Sequence, residues 1–128
     1  MEDSAGSFPY QRLAQGASQI RLISLKGSRF EDPIQCRLHY VDLDDDPAYE
    51  ALSYRWGSRE HNLEIFLDGR PFPVTDNLHD ALRHLRRTPG TRTFWIDAIC
   101  INQEDNRERS EQVLRMSEIY PKAATVVI

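Results

Sequence analysis

The sequence predicts an α/β fold: a sheet containing a parallel strand–helix–strand unit, with helices packed on it. Three observations predict it. The first half alternates apolar and polar residues in short runs. Leu78, Ala81, Leu82 and Leu85 fall at i, i+3, i+4 and i+7, one face of a helix. Phe94–Ile101 is almost continuously apolar and is followed by a helical pattern and a second apolar run, Thr125–Ile128. A strand that is apolar throughout fits a parallel sheet covered on both faces. Strand, helix and strand with a short return predict a right-handed crossover.

The composition is that of a globular chain. Of 128 residues, 40% are apolar and 28% charged, which excludes a wholly disordered polymer. The length fits one domain. A net charge of -4 argues against a nucleic-acid binder, which would carry a basic stripe. No apolar run approaches the roughly 18–20 residues of a membrane span. The start, Met1 to Ser7, is acidic and polar and has no signal-peptide pattern. Cys36 and Cys100 are isolated from each other and read as reduced core thiols of an intracellular protein, with a disulfide between them as the alternative.

Residues 1–18 form a predicted mobile lead-in, with Phe8, Tyr10 and Leu13 as docking points on the body. Ile20–Leu25 and Ile34–Val41 are strand candidates; the second alternates over eight positions. Asp44-Asp45-Asp46-Pro47 breaks the pattern, and Tyr49–Trp56 reads as a third strand ended by Gly57. Leu63–Leu67 and Arg70–Val74 flank Asp68-Gly69 as a hairpin, whose prolines confine its second arm to a sheet edge. Thr75-Asp76 offers an N-cap to the helix of Leu78–Leu85, and Thr88-Pro89-Gly90 stops it. Phe94–Ile101 is the buried strand. Asp105 then caps a second helix, with Glu108 at capping-box spacing and Val113, Met116, Ile119, Tyr120 and Ala123 on its buried face. Thr125–Ile128 begins another buried strand.

Few residues invite chemistry. Asp97, placed inside an apolar strand, must be hydrogen-bonded or paired, as a structural acid or a functional one. Asn102-Gln103 follows the carboxyl end of that strand, where ligands bind in open parallel sheets, or else simply caps a helix. Glu108 either completes a capping box or stands at the mouth of a cleft to orient a sugar hydroxyl. Tyr54, Trp56 and Gly57 end a strand, as core filling with a turn or as a ring-stacking platform. The four histidines lack zinc-ligand spacing, and the common phosphate-loop and nucleophile-elbow motifs are absent from the sequence.

Three ordered motifs resemble the fungal heterokaryon-incompatibility (HET) domain. They are Tyr49-Glu50-Ala51-Leu52-Ser53-Tyr54-Arg55-Trp56-Gly57, then Val74-Thr75-Asp76-Asn77-Leu78 with Ala81-Leu82 and Leu85-Arg86, then Phe94–Gln103 with Asp105, Glu108-Arg109, Gln112-Val113, Met116 and Ile119-Tyr120. The lead-in strands Ile20–Ile23 and Ile34–Leu38 resemble the usual start, so residues 19–128 form the expected HET domain. Members of that family typically continue beyond the Val126-Val127-Ile128 strand, so the expectation is a C-terminally truncated domain.

The resemblance implies a cytoplasmic protein of fungal self/non-self recognition whose partners are other incompatibility or sensor proteins, or further copies of itself. It implies an effector of programmed cell death. The HET family is considered a remote relative of the Toll/interleukin-1 receptor (TIR) domain, so the implied fold is a TIR/flavodoxin-like parallel sheet flanked by helices, with an N-terminal β extension and a hairpin insertion. Some TIR relatives cleave the nicotinamide–ribose bond of NAD with one glutamate near the start of a helix between two core strands. Glu108 has that relative place. On this reading NAD is a substrate, with no bound cofactor and no metal. Glu108 is catalytic, Tyr54 or Trp56 stacks near the nicotinamide beside Gly57, and Asp97, Asn102 and Gln103 line the pocket. The alternatives are a non-enzymatic, self-assembling death-signalling module and an inactive truncated paralogue.

Overall fold

The computed structural model describes residues 8–14, 18–29, 31–53, 60–61, 63–86 and 90–127. In chain order the elements are β1 (Gln19–Lys26), β2 (Gln35–Asp42), a 3-10 turn (Leu43–Asp45), β3 (Glu50–Leu52), β4 (Leu63–Leu67), β5 (Arg70–Val74), α1 (Asp76–Leu85), β6 (Thr91–Trp95), α2 (Asp97–Cys100), α3 (Asn106–Lys122) and β7 (Thr125–Val127). The strands form one sheet in the order β5-β4-β2-β1-β6-β3-β7.

The sheet is mixed, which corrects the expectation of a parallel one. β1 runs antiparallel to β2 and to β6, and β4 and β5 form an antiparallel hairpin. Parallel pairing is confined to β2 with β4 and to β3, which lies between β6 and β7. Part of the reason is local: β4 and β5 are joined by the two-residue Asp68-Gly69 turn, and a tight turn gives antiparallel neighbours. The predicted strand–helix–strand unit does exist. β6 leads through α2 and α3 to β7, and both strands run parallel to the same neighbour.

Elements with clear periodicity form where the sequence places them. Asp68 and Gly69 both have positive φ, 52° and 80°, as a two-residue hairpin turn matching the strand twist requires. β5, with Pro71 and Pro73, lies at the sheet edge. The Thr75 side chain accepts from the Leu78 amide and caps α1, whose Leu78 and Leu82 are buried. Arg92 ties three elements together. Its guanidinium pairs with Glu50 of β3 at 2.8 Å and donates to the Leu85 carbonyl at the end of α1 at 3.1 Å. The core holds Ile20, Ile23, Leu25, Ile65, Leu67, Leu82, Phe94 and Trp95.

Four further expectations are corrected. The apolar run Phe94–Ile101 is not one strand: pairing ends at Trp95, and Asp97–Cys100 is a helical turn closed by the Ile99 and Cys100 amides on the Ile96 carbonyl. Asp97 therefore opens a helix rather than sitting in a strand. A fully buried apolar run has the same composition in either conformation. Ile119 is buried and Met116, Tyr120 and Ala123 pack against the core as expected, but Val113 is exposed, and α3 also buries Glu108 and Gln112 because the helix turns a polar side of its first two turns inward. β7 is a half-exposed edge strand, with Val126 open to solvent. The expected third strand is three residues long, and Tyr54–Trp56 lie outside the described residues.

Leu82→Ala, which empties a fully buried site, is expected to lower unfolding free energy by about 2–5 kcal/mol with little change in denaturant slope. Cys36 and Cys100 are free and buried, and burial pushes both thiols up to about 12. Alkylation at pH 8 should therefore spare both in the native chain and label both in denaturant.

Candidate functional site

β1 carries a charge where its neighbours are apolar. Ile20, Arg21, Leu22 and Ile23 are all buried, and Arg21 has no exposed surface. A guanidinium in that position needs partners, since an unpaired buried charge costs several kcal/mol. The first turn of α3 supplies one. Arg21 Nη1 lies 2.6 Å from Glu108 Oε2 and Nη2 lies 2.9 Å from Oε1, a bidentate pair. Nη1 also donates to the Cys100 carbonyl at 3.1 Å and Nη2 to the Gln11 carbonyl at 2.7 Å. The Tyr10 ring lies 4.5 Å from the guanidinium carbon, and the Tyr40 ring 5.3 Å. Burial is the strongest single influence and works against the arginine's charge, but the hydrogen bonds and charges of Glu108 and Tyr40 together outweigh it, and the pKa ends above the ordinary value.

Glu108 is 8% exposed. Besides Arg21, its Oε2 accepts the Asn102 amide at 2.6 Å. The capping box is thus half formed. Asp105 Oδ1 accepts from the Glu108 amide at 3.1 Å, but the Glu108 carboxylate does not return to Asp105, whose own amide bonds the Asn102 carbonyl. Arg21 has drawn the carboxylate away.

The other sequence-predicted residues fall around this pair. Asn102 gives its backbone amide to Glu108, and its side-chain carbonyl accepts from the Glu104 amide at 3.1 Å. Gln103 is exposed and bonds the Asp97 carbonyl at 2.9 Å, fastening the loop to α2. Asp97 is half-buried at the start of α2, and burial raises its carboxyl pKa against the lowering effect of the Ala98 amide. Tyr54, Trp56 and Gly57 lie outside the described residues.

Two cavities flank the pair. One, of about 250 Å³, is lined by Arg12, Gln19, Asp105, Glu108, Gln112 and Arg115 among others. The other, of about 310 Å³, is lined by Phe8, Tyr10, His61, Phe72, Asn102 and Gln103 among others. Glu108 therefore borders one cavity while Asn102 and Gln103 border its neighbour. Among the described residues no group of three or more His, Cys, Asp or Glu could hold a metal ion, and no helix is long and apolar enough to cross a membrane.

Sequence reasoning missed Arg21, Tyr10 and Tyr40 as members of the site. The available signal was Arg21 itself, a charge inside the run Ile20–Leu25 that demands a buried partner.

Residues 49–128 match the family described as Heterokaryon incompatibility protein (HET). The chain is also 39% identical over 142 aligned positions to Heterokaryon incompatibility protein 6, OR allele, of Neurospora crassa; the alignment takes in 98% of this chain. The chain spans 21% of the length of that curated relative. No solved structure matches it.

Arg21→Met strands the Glu108 carboxylate and is expected to cost about 3–5 kcal/mol in denaturant melts. Arg21→Met combined with Glu108→Gln should recover at least half of that, because no buried charge remains. Asp97 sets a pH slope. Its folded-state pKa lies above the unfolded value of 3.8, so the folded chain holds an extra proton between the two. Stability should fall as pH rises through that window, and Asp97→Asn should flatten this part of a pH–stability curve.

Proposed function

The chain belongs to the heterokaryon incompatibility (HET) family, and from that premise we propose that it is an effector domain of fungal self/non-self recognition. It triggers programmed cell death in the cytoplasm by assembling with other incompatibility or sensor proteins and with further copies of itself. The observation that carries the non-enzymatic form of this reading is the engagement of Glu108. Both carboxylate oxygens are occupied by Arg21, one also by the Asn102 amide, and the side chain is nearly buried. A glutamate that contacts a ribose must offer it an oxygen. Here both oxygens already serve a bidentate guanidinium partner and little of the residue is exposed to receive a ligand.

A second reading, NAD cleavage by a TIR/flavodoxin-like domain, has its own support. The parallel β6–β3–β7 unit places Glu108 near the start of the helix preceding β7. The cavity beside Asn102 and Gln103 has aromatic walls from Phe8, Tyr10 and Phe72 that suit a planar heterocycle. On this reading Glu108 contacts the ribose, Asp97, Asn102 and Gln103 line the pocket, and Tyr54, Trp56 and Gly57 complete it.

Expression in a fungal host separates the two. The Glu108→Gln chain, if folded by circular dichroism, lacks the carboxylate but keeps an amide oxygen for Arg21, whose contact with Gln11 is untouched. Assembly predicts that killing persists at a level within about two-fold of the unaltered chain. Loss of killing, together with loss of nicotinamide release from NAD by purified protein, would overturn assembly in favour of cleavage.

A further inference from the structure

Phe8–Ala14 belongs to no helix or strand, yet the rest of the chain holds it as a groove holds a peptide. The Tyr10 hydroxyl donates to the Ile99 carbonyl at 2.6 Å, and the Gln11 amide donates to the Tyr40 hydroxyl at 2.8 Å. The Gln11 carbonyl accepts from Arg21. Phe8 packs edge-on against Phe72, with ring centres 5.9 Å apart, and against Tyr10 at 5.0 Å. Pro9 fixes one backbone angle and lowers the entropy cost of ordering this strap.

The walls of the groove are anchored in the body of the chain. Arg21 is held from behind by Glu108 and the Cys100 carbonyl. Tyr40 lies in β2, Phe72 in β5 and Ile99 in α2. When the strap leaves, Arg21 Nη2, the Tyr40 hydroxyl and the Ile99 carbonyl all lose partners, so an empty groove favours refilling. The contacts of Phe8, Tyr10 and Gln11 use only the chemistry of Phe-Pro-Tyr-Gln, and none of them requires that segment to come from the same chain.

We propose that this groove is a docking site for the Phe8–Ala14 segment of a second copy, so that reciprocal exchange of straps joins two chains. The occupant is chosen by complementarity: the segment shown to fit is this chain's own, and a two-fold pair reproduces every contact twice. The inference rests on the assembly reading for its biological use, but it is read on purified chains, so each can fail without the other.

The probe is a labelled synthetic peptide of residues 7–14. In the unaltered chain the tethered strap competes at an effective concentration in the millimolar range. A Phe8→Ala/Tyr10→Ala chain, whose own strap is weakened, should bind the peptide at least 10-fold more tightly. Mixed with a Tyr40→Phe/Phe72→Ala chain, which has an intact strap and a damaged groove, it should form a 1:1 dimer by light scattering while each alone stays monomeric. Tyr10→Phe, which loses one hydrogen bond and keeps the ring, should raise peptide affinity by about 2- to 10-fold and covers the case in which the double variant does not fold. Equal peptide binding by altered and unaltered chains, or binding by neither, overturns the proposal. Peptide binding without pairing of the two chains overturns the second copy as occupant.

Discussion

A guanidinium in the middle of an apolar strand is the constraint on which the arrangement around the site depends. Ile20, Leu22 and Ile23 commit β1 to the core, and Arg21 goes in with them. Its charge must then be met from outside the sheet. The first turn of α3 brings Glu108, the end of α2 brings the Cys100 carbonyl, and the strap brings the Gln11 carbonyl and the Tyr10 ring. Such a pair contributes little net stability compared with apolar side chains of the same volume. Its consequence is specification. α3 has one position at which its carboxylate reaches Arg21 while Asp105 still caps the helix, and the Asn102 loop is fixed by the same oxygen.

The elements legible in the sequence are those whose two faces differ in polarity. β2, the Asp68-Gly69 hairpin and α1 alternate with a clear period, and each forms within a residue or so of its expected bounds. Phe94–Ile101 was not legible, because an apolar residue is buried equally well in a strand or a helical turn. There the decision falls to the backbone: the Ile96 carbonyl accepts two amides, and Asp97 stands at the first position of the turn, where a carboxylate suits the helix dipole. α3 misled in the opposite way. Its inward side carries Glu108 and Gln112, so a search for an apolar stripe overvalued Val113, which the helix leaves in solvent.

The site was half legible for a related reason. Glu108 drew notice through its spacing from Asp105, and the cap is real. The partner that redirects its carboxylate is 87 positions away in the sequence, and no local pattern links the two. In the sequence Asp97 reads as a buried acid in need of a partner, whereas the buried pair is Arg21 with Glu108, and Asp97 is half-buried at a helix start. A buried charge announces that it needs a partner, but only the fold names it.

The strap and the glutamate share one arginine, and this couples occupancy of the groove to the engagement of Glu108. Arg21 Nη2 divides its hydrogen bonding between the Gln11 carbonyl and Glu108 Oε1. Departure of the strap removes the first acceptor and one aromatic face, and opens the Arg21 side of the pair to water. Water weakens the attraction between guanidinium and carboxylate by raising the local dielectric. The state with an empty groove is therefore also the state in which Glu108 is most easily released. Linkage makes the relation reciprocal: whatever holds a strap in the groove, from the same chain or a second one, holds Glu108 on Arg21, and whatever draws Glu108 away loosens the strap. Occupancy of the groove and release of Glu108 therefore oppose each other, because both draw on the same guanidinium.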